Sequence, residues 1–402
     1  MELAIDIFNY TFSVIIIGIC VAWIILIKSM LDSLRFTPYL DKFKKKNHNS
    51  PKVSVILPAR NEEEFLGKCL DSLIKQDYEN YEIIVIDDSS EDDTEKIILE
   101  YTKKSSKITH VSAQPKPEGW MGKNWACMEG YKKSTGELLL FTDADTEHKK
   151  NVISLAVSHL LSSNLDALSA IPKMLSCDFW TKITLPMISV FLHTRFSALK
   201  VNDPTKNTGY FFGSFFIINK KTYQNVGMHE GVKQEIIEDG ALGKKVKEQG
   251  YKMKMVRGEH LISAIWARDK TTLWHALKRL MIPLYIQSSS IAIGIFFAVL
   301  FLLFIPFPFL AYSELFVGKS LSFSVLFASS ASASILIYIG SVIEVKMALF
   351  LKLRHAVFAP IGSLVVIGGF LSGILQAKKT ASVSWRGRSY SLKGQTQKAI
   401  NV

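Results

Sequence analysis

Residues 83–90 read Ile-Ile-Val-Ile-Asp-Asp-Ser-Ser, an apolar run that ends abruptly in acids and hydroxyl groups. The pattern recurs at residues 53–57, a largely apolar run before Pro58, and at residues 138–141, which Thr142 and Asp143 follow. Short apolar runs of this kind are typical of buried parallel strands. Each run therefore predicts a strand with polar residues at its carboxyl end.

Helical periodicity fills the intervals between these runs. Apolar residues recur at three- and four-residue spacing through residues 65–74 and again through residues 94–101. Strands that alternate with helices predict an α/β fold with a Rossmann-like, mostly parallel sheet flanked by helices. Ligands of such sheets bind beyond the carboxyl ends of the strands, so the acidic residues at those ends mark the expected site.

Four stretches carry no charged residue over lengths that suffice to cross the ~30 Å hydrocarbon layer of a membrane. They are residues 8–27, 282–312, 321–343 and 356–377. The first stretch follows acids instead of basic residues, and no small-residue cleavage site comes after it. We therefore interpret it as a retained membrane anchor and not as a signal peptide.

The charge distribution also points to a membrane surface. The formal net charge is +12, and basic residues lie at 42–46, after the first stretch, and at 346–354, between the last two. Juxtamembrane Lys and Arg favour the cytoplasmic face of a bilayer. No recognition motif for nucleic acid accompanies this charge, so nucleic acid is not an expected partner.

The tail at residues 378–402 conflicts with a simple count of spans. Four crossings would put this basic tail on the outer side, whereas its charge favours the cytosol. Either one stretch is re-entrant or interfacial, or residues 282–312, which prolines interrupt, do not form one simple span. We expect a cytosolic tail near the active site.

Asp143 and Asp145 lie two residues apart directly after a predicted strand. In an extended segment such residues project to one side, so both carboxylates can face a single hard cation. Mg²⁺ or Mn²⁺ in this position would bridge a diphosphate and neutralise the charge that develops on a leaving group. This pair predicts a metal site.

Two other acidic pairs each leave two interpretations open. Asp88 could face a nucleotide base or ribose, or Asp87 and Asp88 could only cap the next helix. Asp239 could take the proton from an acceptor hydroxyl. Alternatively, Glu238 and Asp239 could lie at a helix N-terminus for the sake of the helix dipole alone.

The order and spacing of these motifs resemble the inverting family 2 glycosyltransferases of GT-A fold. The motifs are residues 58–63 (Pro-Ala-Arg-Asn-Glu-Glu), 87–90, 119–131, 143–145 and 238–239. Within that family the chain is similar to a lipid-directed branch, which includes carotenoid glycosyltransferases of the diaponeurosporenoate type, hopanoid-associated enzymes and, more distantly, ceramide glucosyltransferase. Residues 118–127 and 385–390 carry this narrower resemblance.

The resemblance implies a role for each matching position. Residues expected to bind the nucleotide-sugar are Pro58, Arg60, Glu62, Asp88, Lys123 and Asp143. Residues expected on the acceptor side are Trp120, Gly213, Ser214 and Glu238. Asp143 and Asp145 would hold the metal ion, and Asp239 would be the catalytic base.

The expected function is transfer of a single sugar from a nucleotide-sugar donor, such as a UDP-hexose, to a membrane lipid or isoprenoid acceptor. The chain has Ala-Leu-Lys-Arg-Leu at residues 276–280, where processive members of the family carry Gln-x-x-Arg-Trp. This departure disfavours polymer synthesis. A processive polysaccharide synthase and a polyprenyl-phosphate glycosyltransferase remain the alternatives.

The expected organisation is that of a multi-pass protein of the cell membrane. Its predicted parts are an N-terminal transmembrane anchor at 1–30, a cytosolic GT-A catalytic domain at 51–270, an interfacial segment with about three transmembrane segments at 271–377, and a basic tail at 378–402. The catalytic domain is expected in the cytosol because nucleotide-sugars are made there.

Overall fold

A computed structural model describes residues 2–43 and 50–392. The basic residues 44–46 and the end of the tail, 393–402, lie outside this part. Contacts divide the chain into two compact units. The sheet unit consists of Thr37–Leu175, Ala198–Trp266 and Ser382–Val402, and the helical unit of Met1–Phe36, Ser176–Ser197 and Ala267–Ala381. The predicted domain bounds, with a catalytic domain at 51–270, stay a prediction.

The strands all lie in the sheet unit. In chain order they are β1 (Val53–Ala59), β2 (Tyr81–Asp87), β3 (Ile108–Ser112), β4 (Leu138–Phe141), β5 (Thr146–His148), β6 (Ala167–Ile171), β7 (Lys173–Leu175), β8 (Phe216–Asn219), β9 (Met253–Arg257), β10 (Ile262–Ile265), β11 (Ser382–Trp385) and β12 (Arg388–Ser391).

The helices divide between the two units. Those of the sheet unit are α2 (Leu66–Ile74), α3 (Thr94–Lys104), α4 (Gly122–Lys133), α5 (Val152–Ser162), α7 (Ala198–Asn202), α8 (Lys220–Asn225) and α9 (Glu238–Glu248). Those of the helical unit are α1 (Glu2–Phe36), α6 (Phe179–Phe196), α10 (Lys270–Gln287), α11 (Ser289–Leu303), α12 (Pro306–Glu314), α13 (Leu321–Ile343) and α14 (Ala359–Lys379).

The main sheet has seven strands in the order β3-β2-β1-β4-β8-β6-β9. Strand β8 is antiparallel to both of its neighbours, and the remaining pairs are parallel. The predicted α/β fold with a mostly parallel sheet is therefore confirmed. Strands β5, β10 and β7 form a smaller sheet, and β11 and β12 form a hairpin.

Helices cover both faces of the main sheet, because alternate strand residues point to opposite sides. Val55 and Leu57 of β1 belong to one apolar core, which they share with α2, α3 and α5. Ile56, between them, belongs to a second core with α4, α8 and α9. The register pairs Ala59 with Asp87, so β1 and β2 end side by side and the residues that follow them share one edge.

Apolar helices make up the helical unit. Three helical segments, Glu2–Phe36, Leu321–Ala348 and Leu353–Lys379, are long and apolar enough to cross a membrane. The helices α11 and α12 pass the same test together, but the axis bends by 46° between them. The prediction of apolar helices at the N-terminus and in the C-terminal region, able to span a membrane, is confirmed.

Candidate active site

Arg60 and Asp88 follow β1 and β2 at the shared edge of the sheet. The Arg60 side chain is buried, and its Nη1 donates a 2.7 Å hydrogen bond to the Asp88 carbonyl oxygen. Its Nη2 lies 2.8 Å from Glu91 Oε1. Arg60 therefore fixes the loop that carries Asp88, whereas Pro58 lies within β1 itself.

Asp87 and Asp88 have different surroundings although they are adjacent. The Asp87 carboxylate accepts a 3.3 Å hydrogen bond from the backbone N–H of Ser90, so it closes the turn after β2. The Asp88 carboxylate is buried and lies 2.5 Å from Nη1 of Arg388. Burial raises the pKa of Asp88 above its ordinary value, although the neighbouring guanidinium groups oppose this.

Lys123 joins two of the predicted acidic clusters. It lies in the first turn of α4, and its Nζ is 2.7 Å from Asp143 Oδ1 and 2.6 Å from Glu238 Oε1. Burial alone would lower the pKa of this ammonium group, but the carboxylates of Asp143, Glu238 and Asp239 outweigh that effect and hold the pKa well above its ordinary value. Lys123 is thus a permanent positive charge between the end of β4 and the start of α9.

Asp239 is held by backbone groups on two sides. Its Oδ2 accepts a 2.7 Å hydrogen bond from the backbone N–H of Gly213, and its Oδ1 accepts one of the same length from Gly240. Burial and the nearby Glu238 raise the pKa of Asp239 to about 7. A carboxylate with such a pKa is suited to general-base catalysis near neutral pH.

The backbone at Gly213 comes close to the charged cluster. A Cβ on Gly213 would lie 2.9 Å from Asp239 Oδ2, 3.0 Å from Lys123 Nζ and 3.2 Å from Asp143 Oδ2. The structure therefore brings together the predicted residues Lys123, Asp143, Gly213, Glu238 and Asp239. Any larger residue at this position would press on these three charged groups.

A buried chain of hydrogen bonds supports the loops after β4 and before β8. Thr142 Oγ1 donates to the Ser214 carbonyl oxygen at 2.8 Å and lies 3.1 Å from Nε2 of His148. Burial lowers the pKa of His148 to about 4, so its ring is neutral at pH 7. Among the described residues, none forms a hydrogen bond with the buried Ser214 hydroxyl.

The carboxylates of Asp143 and Asp145 meet different cations. Asp143 contacts Lys123, whereas Asp145 Oδ2 lies 3.6 Å from Nη2 of Arg386. Within residues 2–43 and 50–392, no three acidic, His or Cys side chains are grouped so as to hold a metal ion by themselves. Carboxylates such as those of Asp143 and Asp145 are the donors that Mg²⁺ and Mn²⁺ take from proteins when substrate phosphates supply the further ligands.

Trp120 lies just before α4 and packs against a ring of that helix. Its ring meets Trp125 edge-on with the centroids 5.1 Å apart, and Lys233 Nζ lies 5.9 Å from its ring centroid. Trp120 thus packs with α4 and with the loop that precedes α9. Its assignment to the acceptor stays a prediction.

Sequence reasoning gave no role to several residues that the fold brings to this site. They are Gly122, Thr142, His148, Arg386, Arg388 and Tyr390. The Trp-Arg-Gly-Arg-Ser-Tyr motif at 385–390 and the expected position of the tail near the active site pointed to three of them, but the sequence did not indicate which acids they contact. The buried Thr142 and His148 have no comparable signal.

Residues 54–227 match the family model described as "Glycosyl transferase family 2". Two curated relatives, from Staphylococcus aureus strains bovine RF122 / ET3-1 and USA300, are both named 4,4'-diaponeurosporenoate glycosyltransferase. Each is 29% identical over 222 residues. The match covers 54% of this chain and 57% of each relative, so the chain spans little more than half of their length.

The solved structure of mannosyltransferase PcManGT from Pyrobaculum calidifontis, in complex with GDP-Man and Mn²⁺, is similar in fold. Its TM-score is 0.51 at 16% identity, and the alignment covers 90% of this chain and 99% of that one. With the strand order described above, these findings show that the sheet unit has a GT-A fold and that residues 54–227 within it are similar to glycosyl transferase family 2.

Proposed function

We propose that this protein is a membrane-bound inverting glycosyltransferase that moves one sugar from a nucleotide-sugar, most simply a UDP-hexose, to a lipid-like acceptor. The observation that carries the proposal is the position of Lys123 between Asp143 and Glu238, beside Asp239. This arrangement provides a cation for a diphosphate and a base for an acceptor within a few ångströms. The family match and the names of the relatives agree with it.

On the acceptor side, Asp239 takes the proton of an acceptor hydroxyl while the oxygen attacks the anomeric carbon and the bond to the diphosphate breaks. Attack from the face opposite the leaving group inverts that carbon. The hydrogen bonds from Gly213 and Gly240 orient the Asp239 carboxylate. The small Gly213 keeps the space between base and donor open.

On the donor side, Lys123 provides a fixed positive charge for the diphosphate. Asp143 and Asp145 would hold the divalent cation, which when bound neutralises charge on the departing diphosphate. Asp88 would contact the base or ribose of the nucleotide. Glu62 and Arg60 flank this part of the pocket, and Arg60 acts through the loop it holds.

The acceptor is proposed to be a lipid or an isoprenoid dissolved in the bilayer. The apolar helices would bring the protein to such a substrate, and the relatives' name refers to a carotenoid acid, a molecule of this class. A carboxylate acceptor is already ionised at neutral pH, so in that case Asp239 would orient the nucleophile instead of deprotonating it.

Contacts along α1 support an orientation for its neighbour α13. Ser320, just before α13, donates a 3.2 Å hydrogen bond to Asp6 near the start of α1. Further along both helices, the ring of Trp23 packs directly against Gly340. The two helices therefore run parallel.

The bent pair α11–α12 runs the opposite way along α1. Trp23 Nε1 donates a 2.8 Å hydrogen bond to the Leu302 carbonyl oxygen in α11. Later in the pair, Phe309 stacks on Phe12, closer to the start of α1, with the ring centroids 4.4 Å apart. The helix α1, the bent pair and α13 would then cross the membrane in alternating directions.

This order of crossings implies that α14 does not cross the membrane. If the C-terminal end of α1 is in the cytosol, the C-terminal end of the parallel helix α13 is there too. The basic residues at 346–354 then lie on the cytosolic side, as expected. The hairpin after α14 belongs to the sheet unit, so α14 must end on that same side. It packs against α6 and α10, which are not candidate spans, and also against α11 of the bent pair. We therefore propose that α14 lies in the interface and that the sheet unit and tail are both cytosolic.

The test is to incubate membranes containing the protein with UDP-hexose labelled in the sugar and to follow the label. We expect the label in the organic extract, in a lipid that carries one hexose and is stable to mild acid. An acid-labile phospholipid product would instead indicate a polyprenyl-phosphate acceptor. Label in an insoluble product that grows with time would indicate a processive synthase.

A further inference from the structure

The C-terminal hairpin, β11 and β12, places two arginines on the acidic edge of the main sheet. Trp385 pairs with Arg388, so Arg386 and Gly387 form a two-residue turn, and both have positive φ angles of 46° and 78°. This is the geometry of a type I′ turn, which suits the twist of a hairpin. Arg386 therefore stands at the tip of the hairpin.

The tip of the hairpin reaches the acids that follow β1 and β4. The Arg386 guanidinium forms an ion pair with Glu62 and lies 3.6 Å from Asp145 Oδ2. The backbone of the tip is held as well, because Arg60 Nε donates a 3.0 Å hydrogen bond to the Arg386 carbonyl oxygen. The hairpin thus contacts both the segment that follows β1 and the Asp143–Asp145 loop.

The second arginine forms an ion pair with the carboxylate that is proposed to face the nucleotide. Arg388 Nη1 lies 2.5 Å from Asp88 Oδ2, and its Nη2 donates a 3.1 Å hydrogen bond to the Asp88 carbonyl oxygen. The neighbouring Tyr390 is buried against the start of α4. A Cβ on Gly122 would lie 2.6 Å from the Tyr390 hydroxyl and 2.8 Å from Asp88 Oδ2.

The two arginines would bring positive charge to a sheet edge that is rich in acids. The acids at this edge are Glu62, Asp88, Asp143, Asp145, Glu238 and Asp239. From the rest of the sheet unit, Lys123 faces them, while Arg60 is engaged with backbone carbonyl oxygens and Glu91. A diphosphate brought to this edge would meet strong repulsion without further positive charge.

We propose that the C-terminal hairpin is part of the donor site, and that Arg386 and Arg388 exchange carboxylates for the phosphate groups of the nucleotide-sugar when it binds. In the free protein Arg386 pairs with Glu62 and lies beside Asp145, and Arg388 pairs with Asp88. A divalent cation held by Asp145 and a nucleoside held by Asp88 would compete with the arginines for these two carboxylates, and both guanidinium groups could then turn to the diphosphate. Planar guanidinium groups bind phosphate oxygens in bidentate fashion, which suits them to this role. This inference rests on the proposed function.

The exchange predicts that loss of Arg386 weakens the binding of Mn²⁺-UDP but does not weaken the binding of Mn²⁺ alone. Arg386→Gln removes a cation from the diphosphate, so Mn²⁺-UDP should bind roughly 10- to 100-fold more weakly, as expected for a lost charge-assisted hydrogen bond. The same change removes the cation that competes for Asp145, so Mn²⁺ alone should bind as well as or better than to the unchanged protein. A variant that is merely misfolded would lose both.

The experiment measures Kd for Mn²⁺, Mn²⁺-UDP and Mn²⁺-GDP with purified full-length protein in detergent. Arg388→Gln should also weaken the nucleotide, and Gly122→Ala should do so while both arginines are kept, because the added methyl group displaces Tyr390. Lys379→Gln, an equal charge change at the exposed end of α14, is the matched control and should change none of the three constants.

Two results would overturn the inference, and they can be told apart from each other. Nucleotide binding that is unchanged or tighter in Arg386→Gln and Arg388→Gln would make the hairpin a blocking element or a bystander, with the proposed function intact. Failure of the unchanged protein to bind either nucleotide with Mn²⁺ would instead remove the proposed donor class, and the hairpin's role with it.

Discussion

The backbone N–H of Gly213 donates a 2.7 Å hydrogen bond to Oδ2 of Asp239, and this contact joins the loop before β8 to the first turn of α9. Residues distant in sequence thereby share one small space with Lys123 and Asp143. The glycine is required there because the space a side chain would take is already bordered by three charged groups.

Replacement of Gly213 tests this arrangement directly. In Gly213→Ala the new Cβ would lie 2.9 Å from Asp239 Oδ2, so the carboxylate or the loop must move. Displacement of a catalytic group by about 1 Å can cost on the order of 100-fold in rate. We expect a loss of this order in kcat with little change in the thermal unfolding temperature. Full activity in the Ala variant would show that the loop does not border the reaction.

The pH dependence of turnover should follow Asp239. Its pKa is raised to about 7, and the base must be ionised, so kcat on a hydroxyl acceptor should rise as the pH increases through about 7. Stability should respond in the opposite direction. Because the unfolded carboxyl titrates near 4, the stabilisation from protonated Asp239 is complete below about pH 4 and is lost as the pH rises through about 7.

The control for this profile is Asp239→Asn, in which the stability change between about pH 5 and about pH 8 should become smaller. Rates measured over the same interval decide the catalytic role. A rate on a hydroxyl acceptor that does not vary across pH 7 would contradict a base with the pKa of Asp239.

Metal dependence should be lost with Asp145. Asp145→Ala removes one carboxylate of the proposed cation pair, so turnover should fall to background at any concentration of Mg²⁺ or Mn²⁺. The measurement is sugar transfer with EDTA and after each ion is restored. Activity of the unchanged protein in EDTA that equals its activity with added metal would rule out the proposed cation.

Membrane sidedness can be read by cysteine labelling of intact cells, in a background where the exposed Cys177 is Ser. A cysteine near Glu314 should react from outside. Cysteines near Asp71, Asp166 and Lys352 should be protected. The informative position is Thr380, after α14, which should also be protected if α14 is interfacial. Labelling at Thr380 would show that α14 crosses the membrane.

The sequence was most informative where local pattern and fold coincide. The apolar runs at residues 83–86 and 138–141 became the buried strands β2 and β4, and the acids after them share one sheet edge. The sequence could not predict the antiparallel β8, because strand direction depends on how distant segments return to the sheet.

Within the site, the contacts between residues distant in sequence were likewise not predictable from local pattern. The contact of Lys123 with both Asp143 and Glu238 could not be read from spacing, since it depends on the path of the chain between them. The contacts of Arg386 and Arg388 join residues about 300 positions apart. Such tertiary contacts have no periodic signature along the chain.

The most direct test of the proposed reaction compares the lipids of cells that produce the unchanged protein with those of cells that produce Asp239→Asn. For a hydroxyl acceptor, we expect a lipid heavier by one hexose with the unchanged protein. Asp239→Asn should lower the rate of its formation roughly 100- to 10,000-fold, as expected for loss of a general base, with nucleotide binding nearly unchanged. Identical lipid extracts from producing and non-producing cells, alongside a new insoluble polymer, would contradict the account.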